Sequence, residues 1–251
     1  MTGATPMLRT RGLVREFNGF RAVNGVDLDV GADTVHALVG PNGAGKTTLF
    51  NLLTGFLTPS AGAIELDGQD VTGLRPERIA QRGVARSFQI TSLFDELTLV
   101  EHVELALQGR DGRGYRFWRS DKQLRRYRDE VEGLLQQVGL LDHAAKQAGS
   151  LAYGQKRALE LALALALSPR LLLLDEPTAG MGVEDVARTV ELIRRVRAGR
   201  TVVLVEHNMK VVGDLTDRVT VLQFGKVLAE GPYEDVRNDP RVITAYLGES
   251  V

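Results

Sequence analysis

Nine consecutive residues, Gly40-Pro41-Asn42-Gly43-Ala44-Gly45-Lys46-Thr47-Thr48, restrict this chain more than any other stretch. They follow an apolar β-like run (Val35, Ala37, Leu38, Val39) and open a helix-like one (Thr48, Leu49, Phe50, Leu52, Leu53). A strand, a glycine-rich loop and a helix in that order make a phosphate-binding loop. Glycines let successive backbone N–H groups curl around phosphate oxygens where side chains would collide. The following helix adds the positive end of its dipole. Lys46 supplies a cation for the β- and γ-phosphates, and the Thr47 hydroxyl can enter the shell of a Mg2+ ion.

Length and charge limit what surrounds this loop. The chain has 251 residues, enough for a large domain or a domain with a sizeable insertion. Lys and Arg number 31 against 32 Asp and Glu, so no excess of positive charge calls for nucleic acid. Without cysteine, disulfides and thiolate metal sites are excluded. Residues Met1 to Met7 lack an apolar signal core, and the most apolar region, Leu159 to Leu174, is broken by Glu160, Ser168, Pro169 and Arg170. The expectation is a soluble protein on the cytoplasmic side.

Periodicity divides the chain into three stretches. The opening reads as β, with Val26, Leu28 and Val30 alternating with polar residues and Ala63–Leu66 closing at an Asp67-Gly68 turn. From about Thr98 to Gln137 the period is helical, including a charged amphipathic helix through Leu124, Tyr127, Val131, Leu134, Leu135 and Val138. After Gly154, helix and strand alternate: a helix at Leu159–Leu167, strand Leu171–Leu174, helix Val186–Val196, strand Thr201–Val205 and strand Val219–Phe224. That alternation predicts a mostly parallel α/β core interrupted by a helical insertion near 98–150. His36, His102 and His143 are expected to be structural.

Leu171-Leu172-Leu173-Leu174-Asp175-Glu176 is an apolar strand ending in two carboxylates. At the carboxyl edge of a parallel sheet, such acids face the ligand. Asp175 would hold Mg2+ directly or through water, and Glu176 would orient and polarise the water attacking the γ-phosphate.

With the acid pair placed after the loop, the chain resembles the ATP-binding cassette of an ABC transporter over essentially its whole length. Gln89, in Arg86-Ser87-Phe88-Gln89, matches the glutamine that reaches Mg2+ and the attacking water. Leu151-Ala152-Tyr153-Gly154-Gln155 occupies the signature loop, which in the family faces the γ-phosphate held by a second subunit. Ala179-Gly180-Met181-Gly182 sits at the D-loop, His207 at the switch histidine and Phe17 at the aromatic that stacks on adenine. The form Leu-Ala-Tyr-Gly-Gln, the run Val205-Glu206-His207-Asn208-Met209-Lys210 and the tail Asp239 to Glu249 are similar to cassettes of branched-chain amino acid importers.

The resemblance implies an α/β, ABC-type P-loop NTPase with a mostly parallel core sheet, an N-terminal antiparallel β subdomain and a helical subdomain insertion. It implies a single cassette over 1–251, with a RecA-like core and β subdomain in 1–97 and 151–251 and the helical subdomain in about 98–150. ATP and Mg2+ are the implied cofactors, with Glu176, His207, Gln89 and Lys46 catalytic and Thr47, Gln89 and Asp175 at the metal. The implied partners are a second ABC ATPase subunit in a homo- or heterodimer, two transmembrane permease subunits and an extracytoplasmic solute-binding protein. The chain would lie peripherally on the cytoplasmic face of the cell membrane, with no nucleic acid. Urea importers, the lipopolysaccharide-export ATPase and soluble non-transport ABC ATPases are alternatives, as is a non-hydrolysing regulatory nucleotide binder. Three positions depart from the wider pattern: Ala152 replaces the signature serine, Gly182 replaces the D-loop acid, and Ala164 stands where many relatives carry an arginine, removing a surface contact.

Overall fold

The computed structural model describes residues 5–87, 93–111 and 121–247. Strands β1 (Leu8–Phe17) and β2 (Phe20–Val30) form a hairpin. Its two-residue turn, Asn18-Gly19, has positive φ at both positions, the geometry that follows the twist of paired strands. β3 (Val35–Val39) leads through the phosphate loop into α1 (Lys46–Leu53). β4 (Ala61–Leu66) and β5 (Gln69–Asp70) complete an antiparallel sheet in the order β2-β1-β4-β5. The Asp67-Gly68 turn between them again has both φ values positive.

Next come α2 (Pro76–Gln81), β6 (Val84–Ser87), α3 (Leu99–Arg110), α4 (Asp121–Gln137), α5 (Tyr153–Ala166), β7 (Leu171–Asp175), α6 (Val183–Val196), β8 (Thr201–Val205) and α7 (Met209–Leu215). The described chain closes with β9 (Arg218–Gln223), β10 (Lys226–Gly231), α8 (Tyr233–Arg237) and α9 (Pro240–Leu247). The second sheet has the order β10-β9-β3-β8-β7-β6, parallel throughout except for the β9–β10 hairpin.

Side-chain alternation along these strands separates two cores. Leu38, Leu171, Leu173, Val203 and Val205 point to one face and pack with α1 and the antiparallel sheet. Ala37, Val39, Leu172, Leu174, Val202 and Leu204 point to the other and pack with the helices. β3, β7 and β8 are therefore buried at every position, and a parallel strand covered on both faces reads in sequence as a continuous apolar run.

α3 and α4 pack on one another and on α5. α3 begins in a capping box: Thr98 Oγ1 accepts from the Glu101 N–H, and Glu101 Oε2 accepts from the Thr98 N–H at 2.7 Å. α5 starts at Tyr153 rather than near Leu159, and Ala164 lies in its buried face, 6% exposed. The expected surface contact at 164 is thereby corrected: a small side chain fills a helix–core contact there. His36 and His102 are buried, bonding to Thr220 Oγ1 and to the Thr98 carbonyl. No helix among the described residues is long and apolar enough to cross a membrane.

Candidate functional site

β3, β8 and β7 are neighbours in one parallel sheet, so the residues following them share its carboxyl edge. Gly40–Thr48 follows β3, Glu206 and His207 follow β8, and Asp175 and Glu176 close β7. Gln89 follows β6 in the same sheet but lies outside the described residues.

The loop is shaped by close backbone approach. Gly40 has φ 144°, and a Cβ there would stand 2.2 Å from the Leu222 carbonyl oxygen. Gly45 has φ 101° and would meet the Ala22 carbonyl oxygen at 2.3 Å. No other residue type fits either place without moving β9 or β2. Lys46 is buried, and its Nζ donates to the carbonyls of Gly40 and Pro41 at 2.6 and 2.9 Å, the ammonium curled over its own loop. Pro41 and Ala44 are buried, whereas Asn42, Gly43 and Thr47 are exposed.

Asp175 is 2% exposed and held by Arg86, whose Nη2 donates to Asp175 Oδ2 at 2.5 Å and whose Nη1 donates to Asn51 Oδ1 at 2.6 Å. Arg86 thus ties β6 to β7 and to the helix of the phosphate loop, with its guanidinium 5.6 Å from the Phe50 ring centre. The other oxygen, Asp175 Oδ1, is buried and meets no donor among the described residues. A buried carboxylate oxygen without a partner is costly unless a cation completes it. A hard carboxylate oxygen of this kind fits Mg2+.

Glu176 has left-handed backbone, φ 48°, and its N–H bonds to the Val205 carbonyl at 2.9 Å. This kink costs about 1–2 kcal/mol for a residue with a side chain, and it turns the carboxylate out of the strand. Glu176 Oε1 lies 2.9 Å from His207 Nε2. Between these loops Glu206 is 3% exposed.

The remaining expected residues fall into two groups. Phe17 ends β1, 38% exposed, with the Arg15 guanidinium 4.6 Å from its ring centre. Residues 151–155 lie at the start of α5. Ala152 is the N-cap and has no hydroxyl; its N–H bonds to Gln155 Oε1 at 3.1 Å. The Tyr153 hydroxyl donates to the Ala179 carbonyl at 3.1 Å, and Gly154 packs against Asp185. The structure therefore joins this loop to 179–182 and α6 of the same chain.

Sequence reasoning passed over Arg86, Asn51, Thr178 and Glu206. A signal existed for two of them. Arg86 sits within an apolar strand and Glu206 directly after one, and charged groups in such places are buried only with partners.

A phosphate loop, an acid-tipped strand and a strand-end histidine on one sheet edge, with an antiparallel sheet beside them, define a nucleotide-binding α/β protein. A sequence profile described as ABC transporter matches residues 23–179, and one described as branched-chain amino acid ATP-binding cassette transporter matches residues 226–251. The chain belongs to the ABC transporter family and is an ATP-binding ATPase of it. It is 42% identical to the high-affinity branched-chain amino acid transport ATP-binding protein BraF of Pseudomonas aeruginosa, with 98% of this chain and 99% of that protein aligned. Identity to the protein LivG of Escherichia coli K12, of the same description, is 41% over the same shares. Among solved structures it is similar to the ADP conformation of MJ1267, an ATP-binding cassette of an ABC transporter, with a TM-score of 0.84, 28% identity and coverage of 98% and 100%.

Proposed function

We propose that this chain hydrolyses ATP to drive import of branched-chain amino acids. It would work in a homo- or heterodimer of cassettes docked on two permease subunits at the cytoplasmic face of the membrane, supplied by an extracytoplasmic solute-binding protein. The observation that carries the chemistry is the Glu176–His207 contact of 2.9 Å at the edge that bears the phosphate loop. The relatives' names and the match over residues 226–251 support the solute.

Each residue then has a task that follows from its position. Lys46 exchanges its two loop carbonyls for β- and γ-phosphate oxygens, while the loop N–H groups hold the remaining charge. Thr47, Asp175 through Oδ1, and Gln89 would hold Mg2+, which neutralises phosphate charge when bound. Glu176 orients water and accepts its proton. His207, on the same carboxylate, fixes that side chain and reaches the γ-phosphate. Phe17 stacks on adenine, and residues Leu151–Gln155 cap the nucleotide of the partner cassette. Residues of about 98–150 form the helical subdomain that, with Gln89, passes closure to the permeases.

Deleting this gene is expected to remove uptake of radiolabelled leucine, isoleucine and valine, with plasmid-borne wild type restoring it and Lys46→Ala failing to. Unchanged uptake of all three in the deletion strain refutes the assignment. Loss of urea uptake in their place moves the solute to urea.

A further inference from the structure

Glu206 is a buried carboxylate that none of these steps uses, and its partners are unusual in how they divide. Oε1 accepts from the Thr178 N–H at 3.2 Å and from the Thr178 hydroxyl in a short hydrogen bond. Oε2 accepts from the His207 N–H at 2.8 Å and the Asn208 N–H at 3.0 Å. One oxygen therefore serves the loop after β7 and the other serves the loop after β8. Both Glu206 and Thr178 are buried, at 3% and 6% exposure. Thr178 stands two residues past Glu176, and His207 is adjacent to Glu206. Asn208 goes on to cap α7, its Oδ1 accepting from the N–H groups of Lys210 and Val211.

We propose that Glu206 is a positioning residue for hydrolysis: a single carboxylate clamps the two loops from which Glu176 and His207 reach each other. This inference rests on the reading of Glu176 and His207 given above and extends it to a buried residue behind them. The side chains of Glu176 and His207 are partly exposed, 25% and 42%, so their own contact is weakly constrained by packing. The loops that carry them, by contrast, are pinned by four charge-assisted hydrogen bonds to Glu206, three from the N–H groups of Thr178, His207 and Asn208 and one from the Thr178 hydroxyl, which are stronger than neutral ones and fix direction as well as distance. The left-handed φ at Glu176 needs such support, since a strained backbone persists only where its surroundings over-determine it.

Glu206→Gln tests the clamp. An amide presents one oxygen and one NH2, so it can satisfy only one of the two loops and turns a donor toward the N–H of the other. In the full-length chain, hydrogen exchange at Thr178 or at His207 and Asn208 should quicken at least tenfold. In the assembled transporter, kcat should fall at least tenfold while ATP affinity stays within twofold of wild type, because the phosphate loop is built on β3 and α1. Thr178→Val removes only the hydroxyl donor, and about a threefold loss of kcat with faster exchange at residue 178 is expected. It decides the matter if the glutamine variant does not fold. Unchanged exchange at all three amides, unchanged kcat, or ATP affinity falling in step with kcat overturns the proposal. A wild-type complex that fails to hydrolyse ATP would reject the functional reading instead, and the exchange measurement would still decide the clamp.

Discussion

The contact between Glu176 and His207 joins a carboxylate and an imidazole on two neighbouring strand ends. Replacing the carboxylate by an amide leaves its shape but removes the base that we propose. Glu176→Gln should therefore bind ATP about as well as wild type, lose hydrolysis by at least a hundredfold, and accumulate the ATP-closed dimer with its partner cassette. Light scattering with Mg-ATP that shows monomers alone would speak against Glu176 as the base. At this scale the sequence was most legible where function depends on spacing along one segment. Gly40 to Thr48 and the Asp175-Glu176 pair each lie within a few residues, so their pattern survives in one dimension. Arg86 with Asp175, and Glu206 with Thr178, are pairs separated by 89 and 28 residues. Nothing local in the sequence says which acid a half-buried arginine will meet.

Strands and helices were legible to the extent that burial gave them a period. Val35–Val39 and Thr201–Val205 have the same bounds in the sequence reading and in the structure, because a strand covered on both faces is apolar throughout. β5, α2 and α8, of 2, 6 and 5 residues, are too short to carry a period, and turn chemistry and long-range packing place them instead. A polar cross-link between strands is similarly hidden. His36 on β3 bonds to Thr220 on β9 at 2.8 Å, and Thr220 in turn bonds to Glu230 on β10. Burial pushes the His36 imidazole down to about 4; Glu230 opposes that shift and Arg218 adds to it. Below its ordinary pKa near 6.5 the unfolded chain takes up a proton that the folded chain refuses, so stability declines as pH falls from 6.5 toward 4. At pH 5 the loss from this one group is about 2 kcal/mol. The difference in urea unfolding free energy between pH 7 and pH 5 should shrink by that order in His36→Leu. An equal pH dependence in both proteins would show that His36 is not the group responsible.

On the scale of the whole molecule, one parallel sheet separates a nucleotide side from a helical side. α1 and the antiparallel sheet share the core behind the phosphate loop, and α5, which carries residues 153–155, belongs to the opposite core. The phosphate loop and residues 151–155 therefore rest on different bodies of side chains. That layout supports the proposed closure by a second cassette. Ala152→Ser would add a hydroxyl at the N-cap of α5, and a hydrogen bond to a charged group contributes about 1.5–3 kcal/mol. In a dimer pairing this variant with wild-type chains, ATP should bind at least tenfold more tightly at the partner's phosphate loop and unchanged at the variant's own. An effect confined to the variant's own loop would contradict capping across the dimer.

The curled Lys46 side chain has a thermodynamic corollary. Its ammonium already has two carbonyl acceptors, so an arriving triphosphate trades donors between oxygens rather than rescuing a stranded cation. Heat released on nucleotide binding, measured by calorimetry, should accordingly be smaller than the number of new phosphate contacts suggests.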